Sequence, residues 1–198
     1  MRPIVFERRV SAALREACAI EMAPTTSTTM QIALGDALAV ALMTRRGFTA
    51  DDYRVLHPGG SLGKKLVRVA DIMHTGDELP IVSRDAVMSD VLLVMTSKRF
   101  GCVGVIDDAG GLLGVITDGD LRRHMQADLL KQHARDVMTA KPRLVREGAL
   151  GGEALRIMTQ HDKPVTCLFV VGDESVGAAS PKPVGIIHIH DCLRAGVA

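Results

Sequence analysis

The chain has almost no aromatic residues: of 198, none is Trp, one is Tyr and four are Phe. Ring stacking cannot build its core, so with 47% hydrophobic residues the packing falls to Val, Leu, Ile, Ala and Met. It also lacks an excess of either charge, with 24 Lys+Arg against 23 Asp+Glu and no basic tract. This balance removes the electrostatic reason to expect nucleic acid or an anionic membrane as a partner. The four cysteines, Cys18, Cys102, Cys167 and Cys192, form no C-x-x-C pair, which excludes a zinc knuckle and a thioredoxin-type motif. Reduced, mostly buried thiols of a cytoplasmic protein are the expectation, with no metal and no cofactor. Long hydrophobic runs are missing too. The most apolar stretch, residues 30–43, is too short to span a bilayer and contains Asp36. The first nine residues hold no long apolar region and no cleavage site.

What the sequence does have is an internal repeat. Asp71-Ile-Met73 recurs as Asp136-Val-Met138, and Gly114-Val-Ile-Thr-Asp-Gly-Asp120 as Gly185-Ile-Ile-His-Ile-His-Asp191, in the same order. Between these landmarks the patterns agree. A strand start stands at Pro80 and at Pro142. A helical rhythm follows at Met88, Val91, Leu92 and Met95, and again at Leu150, Ala154, Leu155 and Met158. Apolar strands at 102–106 and 165–171 lead through Gly/Asp turns into second strands at 112–117 and 183–188. Asp120 and Asp191 each open a helix, as N-cap or first-turn acid. Each repeat therefore reads β-α-β-β-α, and two such units packed together would bury the bare face of each small sheet. The second repeat carries an extra stretch at 175–183, rich in small residues and Pro, expected as a surface loop.

The repeat resembles a CBS pair, and Gly114, Thr117 and Asp120 match that family's G-h-x-[ST]-x-x-D motif. The resemblance implies a nucleotide or nucleotide-sugar ligand. Thr117 and first-turn amides would hold its phosphate, and Asp120 would accept its ribose hydroxyls. Capping alone would also account for Thr117 and Asp120. The second copy departs from the motif: His188 replaces the Thr and His190 the second Gly, while Asp191 is kept. His188 and His190 alternate as if on one strand face, so a metal set is conceivable there. His188 and Asp191 are nonetheless read as ligand-binding.

The first third reads differently. Residues 24–29 offer several N-cap hydroxyls, and the following helix is apolar on nearly every side, so it needs cover all round. The run Gly59-Gly-Ser-Leu-Gly-Lys-Lys65 fails as a Walker A loop, having three residues between its glycines and Lys in place of Ser/Thr. From Arg15 through Pro24-Thr-Thr-Ser-Thr-Thr29 and Gly35-Asp-Ala-Leu38 to His57-Pro-Gly-Gly-Ser-Leu-Gly-Lys64, the chain resembles the end of the sugar isomerase (SIS) domain of arabinose 5-phosphate isomerases. In that family a CBS pair follows directly. The resemblance implies interconversion of D-ribulose 5-phosphate and D-arabinose 5-phosphate on the way to the Kdo sugar of lipopolysaccharide, with His57 in a catalytic role. The family's other catalytic groups are expected upstream of Arg15, and nothing in the sequence places Glu7 or Glu16.

The fold expected is α/β: a partial SIS segment over 1–66, then CBS repeats over 69–129 and 134–198. The chain is read as the regulatory, catalytically incomplete part of such an isomerase, an N-terminally truncated member. The alternative is a stand-alone CBS-pair protein that modulates another enzyme. A homo-oligomer through CBS and SIS-segment surfaces is expected.

Overall fold

The computed structural model describes residues 15–20, 22–56, 60–160, 162–175 and 178–197. The chain divides into two compact units, Met1–Tyr53 and Arg54–Ala198. His57, Pro58 and Gly59 lie outside the described residues, as does Glu7.

The first unit is organised around one helix, Thr26–Arg45. Glu16, for which the sequence suggested no role, is its anchor. The Glu16 carboxylate accepts from the amides of Thr25 and Thr26 at 2.7 Å each and of Ser27 at 3.3 Å. These are the donors that a helix start leaves open, and the negative charge suits the positive end of the helix. The Ser27 side chain and the Thr25 amide bring the Glu16 carboxyl down to about 2. No residue of this helix is buried, and Ile32 and Val40 stand 67% and 62% exposed. Its expected cover is thus not supplied among the described residues. None of their helices is long and apolar enough to cross a membrane.

The second unit contains the two repeats. In the first, β1 (Ile81–Ser83) lies parallel to β2 (Cys102–Ile106), which pairs antiparallel with β3 (Leu112–Thr117). In the second, β5 (Leu144–Arg146), β6 (Cys167–Val171) and β7 (Pro183–His188) repeat this arrangement. The crossover helices are Met88–Lys98 and Gly151–Thr159. They bury the periodic positions Met88, Val91 and Met95 in one and Ala154 and Met158 in the other, as the 3.6-residue spacing dictates.

Each repeat is closed by a piece of the other. The short helix Val69–Ile72 precedes the first repeat, yet Val69, Ile72 and Met73 belong to the core of the second, with Val145, Leu168 and Ile187. Its amides run the same way: Val69 donates to the Ala149 carbonyl at 2.9 Å and Ala70 to Glu147 at 3.0 Å, and His74 exchanges two bonds with Ile186 of β7. The helix Ala134–Val137 does the mirror-image job on the first repeat. Ala134 donates to Ala86 at 2.8 Å, Arg135 to Arg84 at 3.0 Å, and Thr139–Ala140 (β4) pairs with Val115 and Gly114 of β3. So Asp71-Ile-Met and Asp136-Val-Met, which mark the starts of the repeats in sequence, serve the opposite repeat in space.

This exchange explains the repeated glycine. A Cβ at Gly114 would sit 2.7 Å from the Met138 sulfur and 2.8 Å from the Thr139 carbonyl oxygen. At Gly185 it would sit 2.6 Å from the Met73 sulfur and 3.0 Å from the His74 carbonyl oxygen. Only glycine lets the exchanged segment lie flat on the strand.

The two sheets meet through a third apolar cluster of Cys102, Leu112, Phe169 and Ile186. The extra stretch of the second repeat is not merely a surface loop. Its end docks on the first repeat's hairpin, where the Leu112 amide donates to Pro181 at 3.0 Å and the Ser180 hydroxyl to Asp107 at 3.0 Å.

Gly185→Ala is expected to lower the stability of the whole pair by about 1–3 kcal/mol, the usual cost of forcing extra volume into a filled site. Urea unfolding measures it. A neutral result would show that the exchanged segment can lift from β7 without loss.

Candidate functional site

Both copies of the strand-to-helix motif form a reciprocal cap. In the first, Thr117 ends β3 and is the N-cap of the helix Asp118–Arg123, with Asp120 at its third position. Asp120 is 2% exposed, and its carboxylate is fully engaged. One oxygen accepts from the Thr117 amide at 2.8 Å and hydroxyl at 2.6 Å. The other accepts from the Thr139 hydroxyl at 2.6 Å and from Arg123. Burial pushes this carboxyl up, but the Thr117 and Thr139 bonds and the Arg123 charge outweigh it and hold it below the ordinary aspartate value. Gly114, three residues before Thr117, faces Met138 and Thr139.

In the second copy, His188 ends β7 and caps the helix Ile189–Arg194, with Asp191 at the third position. His190 lies in the first turn of that helix, not on the strand, which corrects the alternation expected from the sequence. The two rings meet edge to face at 4.7 Å. The His188 amide donates to Asp191 at 2.9 Å, while the His188 Nδ1 accepts from the His190 amide at 3.1 Å. His188 therefore gives Asp191 no side-chain bond, unlike Thr117 with Asp120.

The place that Thr139 holds over Asp120 is taken here by His74, which follows Asp71-Ile-Met73 as Thr139 follows Asp136-Val-Met138. Its Nε2 stands 3.3 Å from Asp191, its Nδ1 3.3 Å from Glu78, and its ring rests edge-on against Phe100 at 5.1 Å. Around them opens a cleft of about 450 Å³ that also reaches Lys98, Arg99, His190 and Arg194. Lys98 donates to the Asp77 carbonyl, and Arg99 ends its helix in the left-handed region, φ 64°. A bulky residue held there marks a position set by its surroundings.

The structure thus brings together Thr117 with Asp120, and separately His188 with Asp191. The sequence reading missed His74, Phe100 and the Lys98–Arg99 pair. Aligning the two repeats by their Asp-x-Met landmarks would have found His74 opposite Thr139. Among the described residues, no three His, Cys, Asp or Glu side chains converge as a metal set.

The cap at His188 makes this site sensitive to acid. Burial, then the neighbouring His190, Arg194 and His74, depress the His188 imidazole below its usual value of 6.5 against the opposing pull of Asp191. A histidine depressed on folding adds stability that is complete above the unfolded value and is lost as pH falls through the folded one. Protonation also ends the acceptance from His190. Between about pH 7.5 and pH 5, the wild type is expected to lose stability that His188→Asn, a cap that does not titrate, retains. Urea midpoints of both proteins at both pH values measure this, and equal losses would assign the effect elsewhere.

The CBS domain model matches residues 69–127 and 134–198. Arabinose 5-phosphate isomerase KdsD of Escherichia coli K12 is 46% identical over 186 residues, covering 92% of this chain and 54% of that protein. The Pseudomonas aeruginosa KdsD is 44% identical over 186 residues, covering 92% and 55%. The chain spans about half the length of the curated relatives it matches. Among solved structures, the CBS-pair protein CBSX2 of Arabidopsis thaliana in complex with AMP is similar with a TM-score of 0.52 at 26% identity. That match covers 66% of this chain and 96% of CBSX2. Two matched repeats, two exchanged leaders and two capped motifs have one meaning: the chain belongs to the CBS domain family, as a tandem pair whose homologues are the KdsD arabinose 5-phosphate isomerases.

Proposed function

We propose that this chain is the regulatory CBS-pair portion of an arabinose 5-phosphate isomerase, acting in the cytoplasm and binding a nucleotide-type ligand between its repeats. One observation carries the reading. The motif of the second repeat and the leader of the first share one cleft, through Asp191 and His74 at 3.3 Å. A ligand seated there touches parts of both repeats at once, which is what a sensor needs to convert binding into a change of packing. CBSX2, of similar sequence over the pair, binds AMP, and the KdsD relatives supply the reaction being regulated. That reaction would be the interconversion of D-ribulose 5-phosphate and D-arabinose 5-phosphate, feeding Kdo and lipopolysaccharide synthesis. Segments 1–66 and 69–198 would then correspond to the trailing part of an SIS domain and the pair that reports to it, in a homo-oligomer.

The 198-residue chain is itself expected to be inactive. Aldose–ketose isomerisation requires a base at one carbon, an acid at the neighbouring oxygen and a held phosphate. From this sequence the resemblance assigns only His57 to such a role. A coupled assay of the purified chain with ribulose 5-phosphate should give background rates. Turnover that disappears in His57→Ala would overturn this.

Ligand binding is tested by thermal unfolding with adenine and cytidine ribonucleotides, including a CMP-linked sugar. A true ligand at 100 times its dissociation constant should stabilise the pair by about 2.7 kcal/mol. A melting temperature indifferent to every compound would remove the sensor function.

A further inference from the structure

We propose that Cys102 and Cys167 form a reversible disulfide between the two repeats, which makes the join of the two sheets a peroxide-responsive lock. The proposal goes beyond ligand sensing and stands whether or not the pair binds a nucleotide.

The repeat itself brings the two thiols together. Cys102 opens β2 and Cys167 opens β6, the corresponding strands of the two sheets, at the same remove as Asp71 from Asp136. Equivalent positions meet where the sheets face each other, and Cys167 packs there against the cluster of Cys102, Leu112, Phe169 and Ile186. The Cys102 thiol donates to the Cys167 sulfur. Cys167 in turn donates across the join to the Phe100 carbonyl at 3.1 Å. The other two cysteines stand elsewhere: Cys192 lies in the second repeat's own core, and Cys18 belongs to the first unit. A disulfide draws its sulfurs to about 2 Å, a short closure for a pair already in contact.

The two thiols are also unequal, as an attacking and a resolving thiol are. Cys102 is buried, and its bond to Cys167, together with burial, pushes its thiol well up. Cys167 is only partly buried. The bond from Cys102, with help from the Thr166 hydroxyl at 3.9 Å, brings the Cys167 thiol below its ordinary value against burial and the Asp191 charge. The thiolate is the nucleophile, so Cys167 reacts first. With hydrogen peroxide, the Cys167 thiolate attacks one oxygen, the O–O bond breaks, and hydroxide leaves to take up the proton that the thiol gave up. A sulfenic acid remains on Cys167. The Cys102 sulfur then attacks the sulfenic sulfur. The S–S bond forms as the S–O bond breaks, and the departing hydroxide leaves as water with the Cys102 proton. The two sulfurs lose two electrons, one peroxide gains them, and two waters form. A dithiol reductant reopens the link by exchange.

The link would tie the ends of β2 and β6, whose ladder partners are Thr117 and His188. It therefore fastens together the two strand ends that carry the capped motifs. It also closes a loop of chain that holds the exchanged helix Ala134–Val137, which restricts the unfolded chain and stabilises the oxidised pair.

The test treats the full, reduced chain with hydrogen peroxide, blocks remaining thiols with an alkylating agent and maps the peptides by mass spectrometry. Expected are a peptide joining Cys102 to Cys167 of one chain, recovery of both thiols with dithiothreitol, and a higher urea midpoint for the oxidised protein. Cys18→Ser should keep the link. Cys102→Ala should abolish it and leave a sulfenic acid on Cys167 that dimedone captures. The same variant should shift the pH profile of Cys167 alkylation upward, because the donor that lowers this thiol is gone. Cys167→Ser should leave Cys102 unmodified. Where a variant folds poorly, the peptide map of the wild type decides alone. A link to any other cysteine, oxidation confined to Cys18, or peroxide-treated protein in which Cys102 and Cys167 are alkylated as fully as in the untreated chain overturns the proposal and leaves the two thiols as core packing. None of these outcomes bears on the sensor reading, which the ligand titrations decide.

Discussion

The rest of this structure depends on the exchange of two short segments. A three-stranded sheet with one crossover helix leaves apolar residues on the sheet's remaining flank without cover. The chain supplies that cover from the wrong repeat in each case: Val69, Ile72 and Met73 for the second, Ala134, Val137 and Met138 for the first. Because each leader is fixed by backbone bonds as well as by apolar contact, the two repeats cannot separate without opening both cores. The pairing of the sheets through Phe169 and the docking of Ser180–Pro181 then add to an association that the exchange has already made obligatory.

The same exchange creates the sites. A leader that crosses over brings its last residues onto the opposite motif, so Thr139 meets Asp120 and His74 meets Asp191. Two pseudo-equivalent sites then diverge by two substitutions. Hydroxyls are small, donate along a free rotation and saturate a carboxylate. Imidazoles are broad, hold their nitrogens at fixed angles and leave one acceptor position open. The difference between a sealed cap and an open cleft thus lies in the shape and donor geometry of residues 74 and 188. It does not lie in the acid, which is the same in both.

Much of the architecture could be read from the sequence because it is carried by local periodicity. The strands at 102–106, 112–117 and 183–188 and the helices beginning near Met88 and Leu150 follow from alternation and from 3.6-residue spacing. The reciprocal caps were legible from Thr117-x-x-Asp120 alone. The exchange was not, since a repeat's beginning in sequence says nothing of which sheet it covers, and a glycine in a strand does not name the methionine that needs its space. Glu16 escaped for a similar reason. Its partners Thr25–Ser27 lie nine to eleven residues away, and the Pro-Thr-Thr run looked self-sufficient in capping hydroxyls. His74 was hidden because it belongs to one repeat by sequence and to the other by contact.

The crossing of the leaders also sets the order in which the chain can become a protein as it is made. The first repeat has all its strands by Thr117, yet its core stays open until Ala134 and Val137 have emerged. Val69, synthesised long before, waits with an unpaired amide and an apolar side chain until Ala149, Leu168 and Ile187 appear. Each half thus waits for residues that lie outside its own strands. The second core closes last, when β7 meets the Val69–Ile72 segment, which is translated before everything else in the pair.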